Sequence, residues 1–315
     1  MSDQDLAVPP TEIRRIAFLG SPQAAVPSLL ALVEAGFELP VVITQPDRRR
    51  GRGAKKVPTA VKAAALDHGI AVAEDPDVLM DCEIDLAVVV AFGRIISRSL
   101  LEQVPMVNVH FSLLPRWRGA APVERAILAG DQTTGVCIMR VAEGLDEGPL
   151  YSCEETAIGS EETANELTER LARIGAELLV ATLQHPLPPP VSQTGSVTYA
   201  DKLDRSENQL DFASPAAELH RQVRVGRAWT TFRSSRLVVD SASPVDGPAI
   251  PAGPSRTPGA LTLSDDDTSR PPAVLAGTGD GTLELLVVKP EGRRAMTALD
   301  WWNGAQPTSD ERLGR

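Results

Sequence analysis

Two patterns of apolar and polar residues alternate through the first 185 positions: short continuous apolar runs and longer stretches with helical spacing. The run Arg15–Leu19, stopped by Gly20, reads as a buried strand, and Val26–Ala35 has helical spacing and stops at Gly36. Pro40–Thr44 is a second strand, and Thr59 is placed to cap a helix that reaches His68 before Gly69. Asp85–Ala91, Asp-Leu-Ala-Val-Val-Val-Ala, is apolar almost throughout, as a central parallel strand is. A short helix over Ser97–Gln103 and a short strand over Met106–Val109 follow. Next come a helix near Pro122–Ala129, strands at Gly135–Val141 and Leu150–Glu154, and a long helix over Glu161–Gln184. This alternation implies a doubly wound, mostly parallel α/β sheet of Rossmann-like form. Ligands of such sheets bind beyond the carboxyl ends of the strands, here Gly20, Gln45, Phe92 and His110.

The pattern then changes. His185-Pro-Leu-Pro-Pro-Pro190 breaks the helical spacing and reads as a stiff, extended linker. Beyond it, one helix near Pro215–Val223 precedes short alternating segments at Arg236–Asp240, Ala273–Ala276 and Leu283–Lys289. Turn-rich stretches such as Pro244–Pro258 and Gly277–Gly281 separate them, and Ser264–Pro272 reads as a mobile loop. These features predict an α/β domain over 1–185, a linker over 186–205 and a smaller β-barrel domain, OB-like, over 206–315.

Composition narrows the class. The 315 residues suit two domains with a core large enough to need no disulfide or metal. The three cysteines, Cys82, Cys137 and Cys153, have no C-x-x-C spacing, which argues against a disulfide framework or zinc site and for a reducing compartment. The acidic start is no secretory signal, and no apolar stretch is long enough for a membrane span, so a cytoplasmic, non-membrane protein is expected. A net charge of −11 counts against general nucleic-acid affinity, although a local basic patch still acts within about one Debye length.

Candidate chemistry gathers after the Met106–Val109 strand. His110, one of four histidines, opens a long segment rich in Pro, Arg and Trp that suits neither helix nor strand. Asn108, two residues earlier, points its side chain the same way. An amide donor beside an imidazole can bind an oxyanion and move a proton, and a capped strand end carries equal weight on spacing alone. Gly144-Leu-Asp146-Glu-Gly148 is a glycine-bracketed acidic turn.

Taken in order, Asn108-Val-His110, Ser112-Leu-Leu-Pro115, Arg116-Trp-Arg-Gly-Ala-Ala-Pro122 and Gly144-Leu-Asp146-x-Gly148 resemble the 10-formyltetrahydrofolate-dependent formyltransferases. Gln45-Pro-Asp47, Gly51-Arg-Gly53-x-Lys55-Lys56, Val90-Ala-Phe-Gly93 and Val197-Thr-Tyr-Ala-x-Lys202 extend the match, as do Gly277–Gly281 and Pro290–Met296. The resemblance runs from about residue 14 to 304. It implies that the amine of initiator methionyl-tRNA attacks the formyl group of 10-formyltetrahydrofolate, with tetrahydrofolate as product and no metal. Asn108 and protonated His110 would stabilise the oxyanion, and Asp146 would pair with His110 and hold a proton-relaying water. Ser112, Leu113, Leu114 and Pro115 would line the folate pocket, with the backbone of Val90, Phe92, Gly93 and Gly144 cradling the pterin. The run Arg48, Arg49, Arg50, Arg52, Lys55 and Lys56, with no acidic residue among them, would grip the tRNA acceptor end, with Arg52 as the key arginine. Arg221, Arg224 and Arg227, spaced by three, would continue that track along one helix face. A monomer is expected.

Three departures from the resembled family stand out. Phe111 stands where many members have glycine and either narrows the pocket or packs beneath the loop; the first turn lacks the expected aromatic residue; and Trp229 sits in an altered segment. Competing readings are a formyltetrahydrofolate hydrolase, a formyltransferase acting on a small-molecule amine, and a non-catalytic RNA-binding module. A nicotinamide dehydrogenase lacks its G-x-G-x-x-G at the first turn.

Overall fold

The computed structural model describes residues 6–49, 56–245, 257–264 and 272–314. The basic residues Arg50, Arg52 and Lys55, and most of the expected loops at 244–258 and 264–272, lie outside the described residues.

Seven strands form the first sheet: β1 (Ile16–Gly20), β2 (Val41–Ile43), β3 (Ala71–Ala73), β4 (Leu86–Val90), β5 (Met106–His110), β6 (Thr133–Arg140) and β7 (Leu150–Ala157). Their spatial order is β7-β6-β5-β4-β1-β2-β3. The five strands from β5 to β3 run parallel, whereas β6 and β7 add antiparallel at one edge. Every residue of β1 and β4 is buried, which explains their unbroken apolar character. The chain reverses its winding between β1 and β4, so the crevice beyond Gly20 and Val90 is the topological switch point.

Helix α1 (Val26–Glu34) buries Leu29 and Leu32 completely, worth about 1.5–3 kcal/mol each. Helix α2 (Ala60–Asp67) begins as the sequence predicts: the Lys62 N–H donates to Thr59 Oγ1 at 3.1 Å, a cap worth about 1 kcal/mol. Helix α3 spans Arg98–Leu101, α4 spans Pro122–Ala129 and α5 spans Ala164–Leu183. The short strand β3 has no counterpart in the expectations; its three residues carry too little pattern to register.

The expectation for the cysteines fails. Cys137 and Cys153 are joined in a disulfide. They face each other across β6 and β7, and that hairpin register, invisible to a count of cysteines, brings them together.

The chain divides into two compact units. The first comprises residues 1–126, 132–159 and 165–201, and the second 127–131, 160–164 and 202–315. Residues 191–200 thus lie within the first unit, although sequence reasoning treats them as linker. Val191 exchanges two backbone hydrogen bonds with Leu150, each 2.8 Å, and Tyr199–Ala200 pairs in parallel with Arg118–Gly119.

In the second unit, helix α6 (Ala216–Val225) precedes β8 (Trp229–Phe232), β9 (Ser235–Val245), β10 (Leu261–Leu263), β11 (Val274–Gly277) and β12 (Thr282–Pro290). These pair antiparallel in the order β8-β9-β12-β11-β10, with Met296–Thr297 added beside β12. The sheet is a half-barrel: among the described residues its edge strands β8 and β10 do not pair with each other. Helix α7 (Ala298–Ala305), absent from the expectations, buries Trp301, whose ring meets Phe232 edge-on at 5.1 Å.

Buried His220 on α6 lies with Nε2 3.2 Å from Glu161 Oε2. Burial disfavours its imidazolium and outweighs the opposing Glu161 carboxylate, so His220 titrates below the ordinary value of 6.5. The unfolded chain then binds this proton more readily than the folded one. The resulting stability is present above about pH 6.5 and lost as pH falls below it. Thermal unfolding should show that slope, and His220→Gln should flatten it; an unchanged slope in the variant removes His220 as its source.

Candidate active site

Strand β5 delivers Asn108 and His110 to the carboxyl edge of the sheet on one face. The turn after β6 delivers Asp146, held at φ 50°, a left-handed conformation that Asp tolerates better than most residues. Gly148 makes that turn possible, because a Cβ there would fall on the Arg140 carbonyl oxygen.

Asp146 joins the groups. Its Oδ1 accepts from Asn108 Nδ2 at 3.4 Å, and its Oδ2 lies 3.6 Å from His110 Nδ1. The Gly119 N–H donates to the same Oδ2 at 2.8 Å, the shortest of these contacts. His110 is only 5% exposed. Its Nε2 meets the Trp117 carbonyl oxygen at 2.9 Å, and since a carbonyl only accepts, Nε2 carries a proton. Nδ1, facing Asp146, is therefore the nitrogen that can gain or lose one. Asn108 retains a second amide hydrogen beyond the one directed at Asp146.

Trp117 holds φ 62°, strained for a bulky residue, and its N–H donates to Thr198 Oγ1 at 2.9 Å. Sequence reasoning misses the Trp117 carbonyl and the Gly119 N–H because neither role depends on a side chain. It also misses Thr198 and Gln193, which lie in the supposed linker.

The other predicted residues are placed as follows. Ser112 is fully buried, and its hydroxyl donates to the Arg116 carbonyl at 2.6 Å, bracing the loop. Leu114 packs with Cys137, Met139 and Leu150, Pro115 is buried, and Leu113 is half-buried. The Val90 and Phe92 side chains point into the core, while Ala91 and Gly93 are exposed with φ of 47° and 73°. Gly144 is half-exposed. Phe111 lies beside helix α5: its Cε1 is 3.6 Å from where a Gly175 Cβ would stand.

Arg48–Arg49 pairs antiparallel with Lys56–Val57. Lys56 is exposed. The arginine face expected on α6 is corrected. The helix ends at Val225, and Gly226 turns at φ 92°, so Arg227 lies off the helix. Arg221 Nε donates to the Leu128 carbonyl and Arg224 Nε to the Glu162 carbonyl. Burial lowers the pKa of Arg224. Among the described residues, no group of three or more His, Cys, Asp or Glu is arranged to hold a metal ion.

Residues 14–183 match the family described as formyl transferase, and residues 202–306 match formyl transferase, C-terminal domain. A methionyl-tRNA formyltransferase of Halorhodospira halophila is 44% identical, over 92% of this chain and 96% of that protein. The protein of that name from Symbiobacterium thermophilum is 41% identical, over 92% of each. Among solved structures, methionyl-tRNA formyltransferase from Clostridium thermocellum superposes with a TM-score of 0.55 at 17% identity, over 75% of this chain and 95% of that one. At that identity the superposition speaks to fold alone.

Proposed function

Because this chain belongs to the formyl transferase family, we propose that Asn108, His110 and Asp146 carry its chemistry. The reaction is transfer of the formyl group of 10-formyltetrahydrofolate to the methionine amino group of initiator methionyl-tRNA. The observation that carries the site assignment is the convergence on Asp146 of Asn108 Nδ2, His110 Nδ1 and the Gly119 N–H.

The folate donor supplies a formyl carbon, and negative charge develops on its oxygen as the amine adds. The second Asn108 amide hydrogen and a protonated His110 Nδ1 are the donors for that charge. A preorganised donor of this kind is typically worth ~10²–10³ in rate. The Trp117 carbonyl holds Nε2–H in both protonation states, so proton exchange is confined to Nδ1. Asp146 stabilises the imidazolium and holds the water that carries the proton lost by the amine to N10 of the folate, so that the oxyanion collapses, the C–N10 bond breaks and tetrahydrofolate leaves. The exposed segment at Ala91 and Gly93 seats the pterin, and Ser112 to Pro115 form part of the folate pocket. All these groups belong to one chain, and the reaction is read as that of a cytoplasmic monomer. Among the described residues no helix is long and apolar enough to cross a membrane.

Asn108→Ala tests the assignment. It should lower kcat ~10²–10³-fold while KM for both substrates stays near wild type. A kcat within twofold of wild type would remove Asn108 from the site. Robust formate release without an amine acceptor, and no formylmethionyl-tRNA, would instead mark a hydrolase.

The basic segment is read as the grip on the tRNA acceptor end, since phosphate contacts let an acidic protein bind RNA. Arg52→Ala should weaken productive tRNA binding and reduce the slope of log affinity against log salt by about one contact's worth. An unaltered slope argues that this arginine meets no phosphate.

A further inference from the structure

Gln193 is the one side chain between Val191 and Val197 that is not exposed. Its Nε2 donates to two carbonyl oxygens of the acidic turn, Asp146 at 2.7 Å and Gly148 at 2.8 Å. Its Oε1 accepts from the Arg118 guanidinium, at 3.0 Å from Nε and 2.7 Å from Nη2. Arg118 is 9% exposed and sits between the Trp117 carbonyl that holds His110 and the Gly119 N–H that holds Asp146. One primary amide therefore ties the turn carrying Asp146 to the loop that orients His110. Both amide hydrogens and the oxygen are used, and the four contacts are all short.

The backbone around Gln193 is fixed on both sides. Val191 pairs with Leu150, just past the acidic turn. Thr198 accepts from the Trp117 and Arg118 N–H groups through its hydroxyl and carbonyl, and Ala200 accepts from Ala120 and Ala121. With both anchors set, the Gln193 side chain cannot drift without losing four hydrogen bonds. The Asp146 carboxylate itself has one short contact, the Gly119 N–H at 2.8 Å; its links to Asn108 and His110 are 3.4 and 3.6 Å long.

From this we infer that Gln193 is a positioning residue for formyl transfer, which sets Asp146 against His110 Nδ1 by holding the main chain of the 144–148 turn. The inference rests on the catalytic roles proposed for Asp146 and His110. Gln193 touches neither substrate; its effect passes through Asp146.

Two substitutions separate this role from simple packing. Gln193→Glu retains an acceptor for Arg118 but sets carboxylate oxygens against the Asp146 and Gly148 carbonyls. Gln193→Met keeps the length and removes all four hydrogen bonds, and it carries the test should the glutamate variant fold poorly. Full-length variants are assayed with 10-formyltetrahydrofolate and charged initiator tRNA, with melting temperatures measured alongside. The expected result is a kcat at least ~10-fold below wild type, with KM for tRNA and folate within about twofold, because misplaced catalytic groups cost turnover rather than binding. In an Asp146→Asn background, measured by single turnover, the same substitutions should add little further loss, since both act through one group. Wild-type kcat per folded molecule in both Gln193 variants overturns the inference. So does a full, multiplicative loss in the Asp146→Asn background. Wild-type kcat in Asp146→Asn itself would instead overturn the catalytic reading on which the inference stands.

Discussion

Replacing His110 by Ala should lower kcat at least ~10³-fold, since proton transfer and an oxyanion donor are removed together. The ring is buried between the Trp117 carbonyl and Asp146. Removal of the ring also leaves the Asp146 carboxylate, already half-buried, with fewer partners. Binding of tRNA should be nearly unchanged, because the basic segment at 48–56 is separate in sequence and uses different chemistry. The decisive comparison is single-turnover formylation against tRNA affinity in the same preparation. A turnover near wild type would end His110's proposed role, and a parallel collapse of tRNA affinity would mean that the substitution had disturbed more than the site.

Gly119→Ala should be nearly as damaging, for a different reason. Gly119 holds φ 127°, where a side chain is strained, and an added Cβ would stand 2.8 Å from the Ala200 carbonyl oxygen. Strain of this class costs about 1–3 kcal/mol, too little to unfold a stable unit but enough to shift a loop. The Gly119 N–H makes the shortest of the contacts described to the Asp146 carboxylate, so any shift is felt there. A loss of ~10²-fold or more in kcat with the fold retained is expected, since angstrom-scale misplacement is that costly. Circular dichroism beside kinetics is the check. A variant that is fully active would show that Asp146 does not depend on this amide.

Much of this could be read from the chain itself. The strands β1 and β4 and the helices α1 and α2 announce themselves, because continuous burial and a Thr59 cap leave direct marks in sequence. The pair Asn108 and His110 is visible because strand periodicity forces both onto one face. What escaped was set by other rules. Strands such as Ala71–Ala73 and Leu261–Leu263 are too short to show a period. The Cys137–Cys153 bond follows from hairpin register, which local pattern does not encode. The proline-rich stretch at 185–190 suggests a passive connector, yet the residues just after it brace the site; proline content reports stiffness and not where the chain lies down. Arg227 fell off its predicted helix face because Gly226 ends α6.

His110 is steered by a carbonyl oxygen and Asp146 by an amide hydrogen, and every amino acid except proline brings both groups to any position it occupies. A change of the Trp117 side chain would leave the steering carbonyl in place. Comparison of relatives letter by letter will therefore undercount this site, and two chains that differ at position 117 can share it atom for atom.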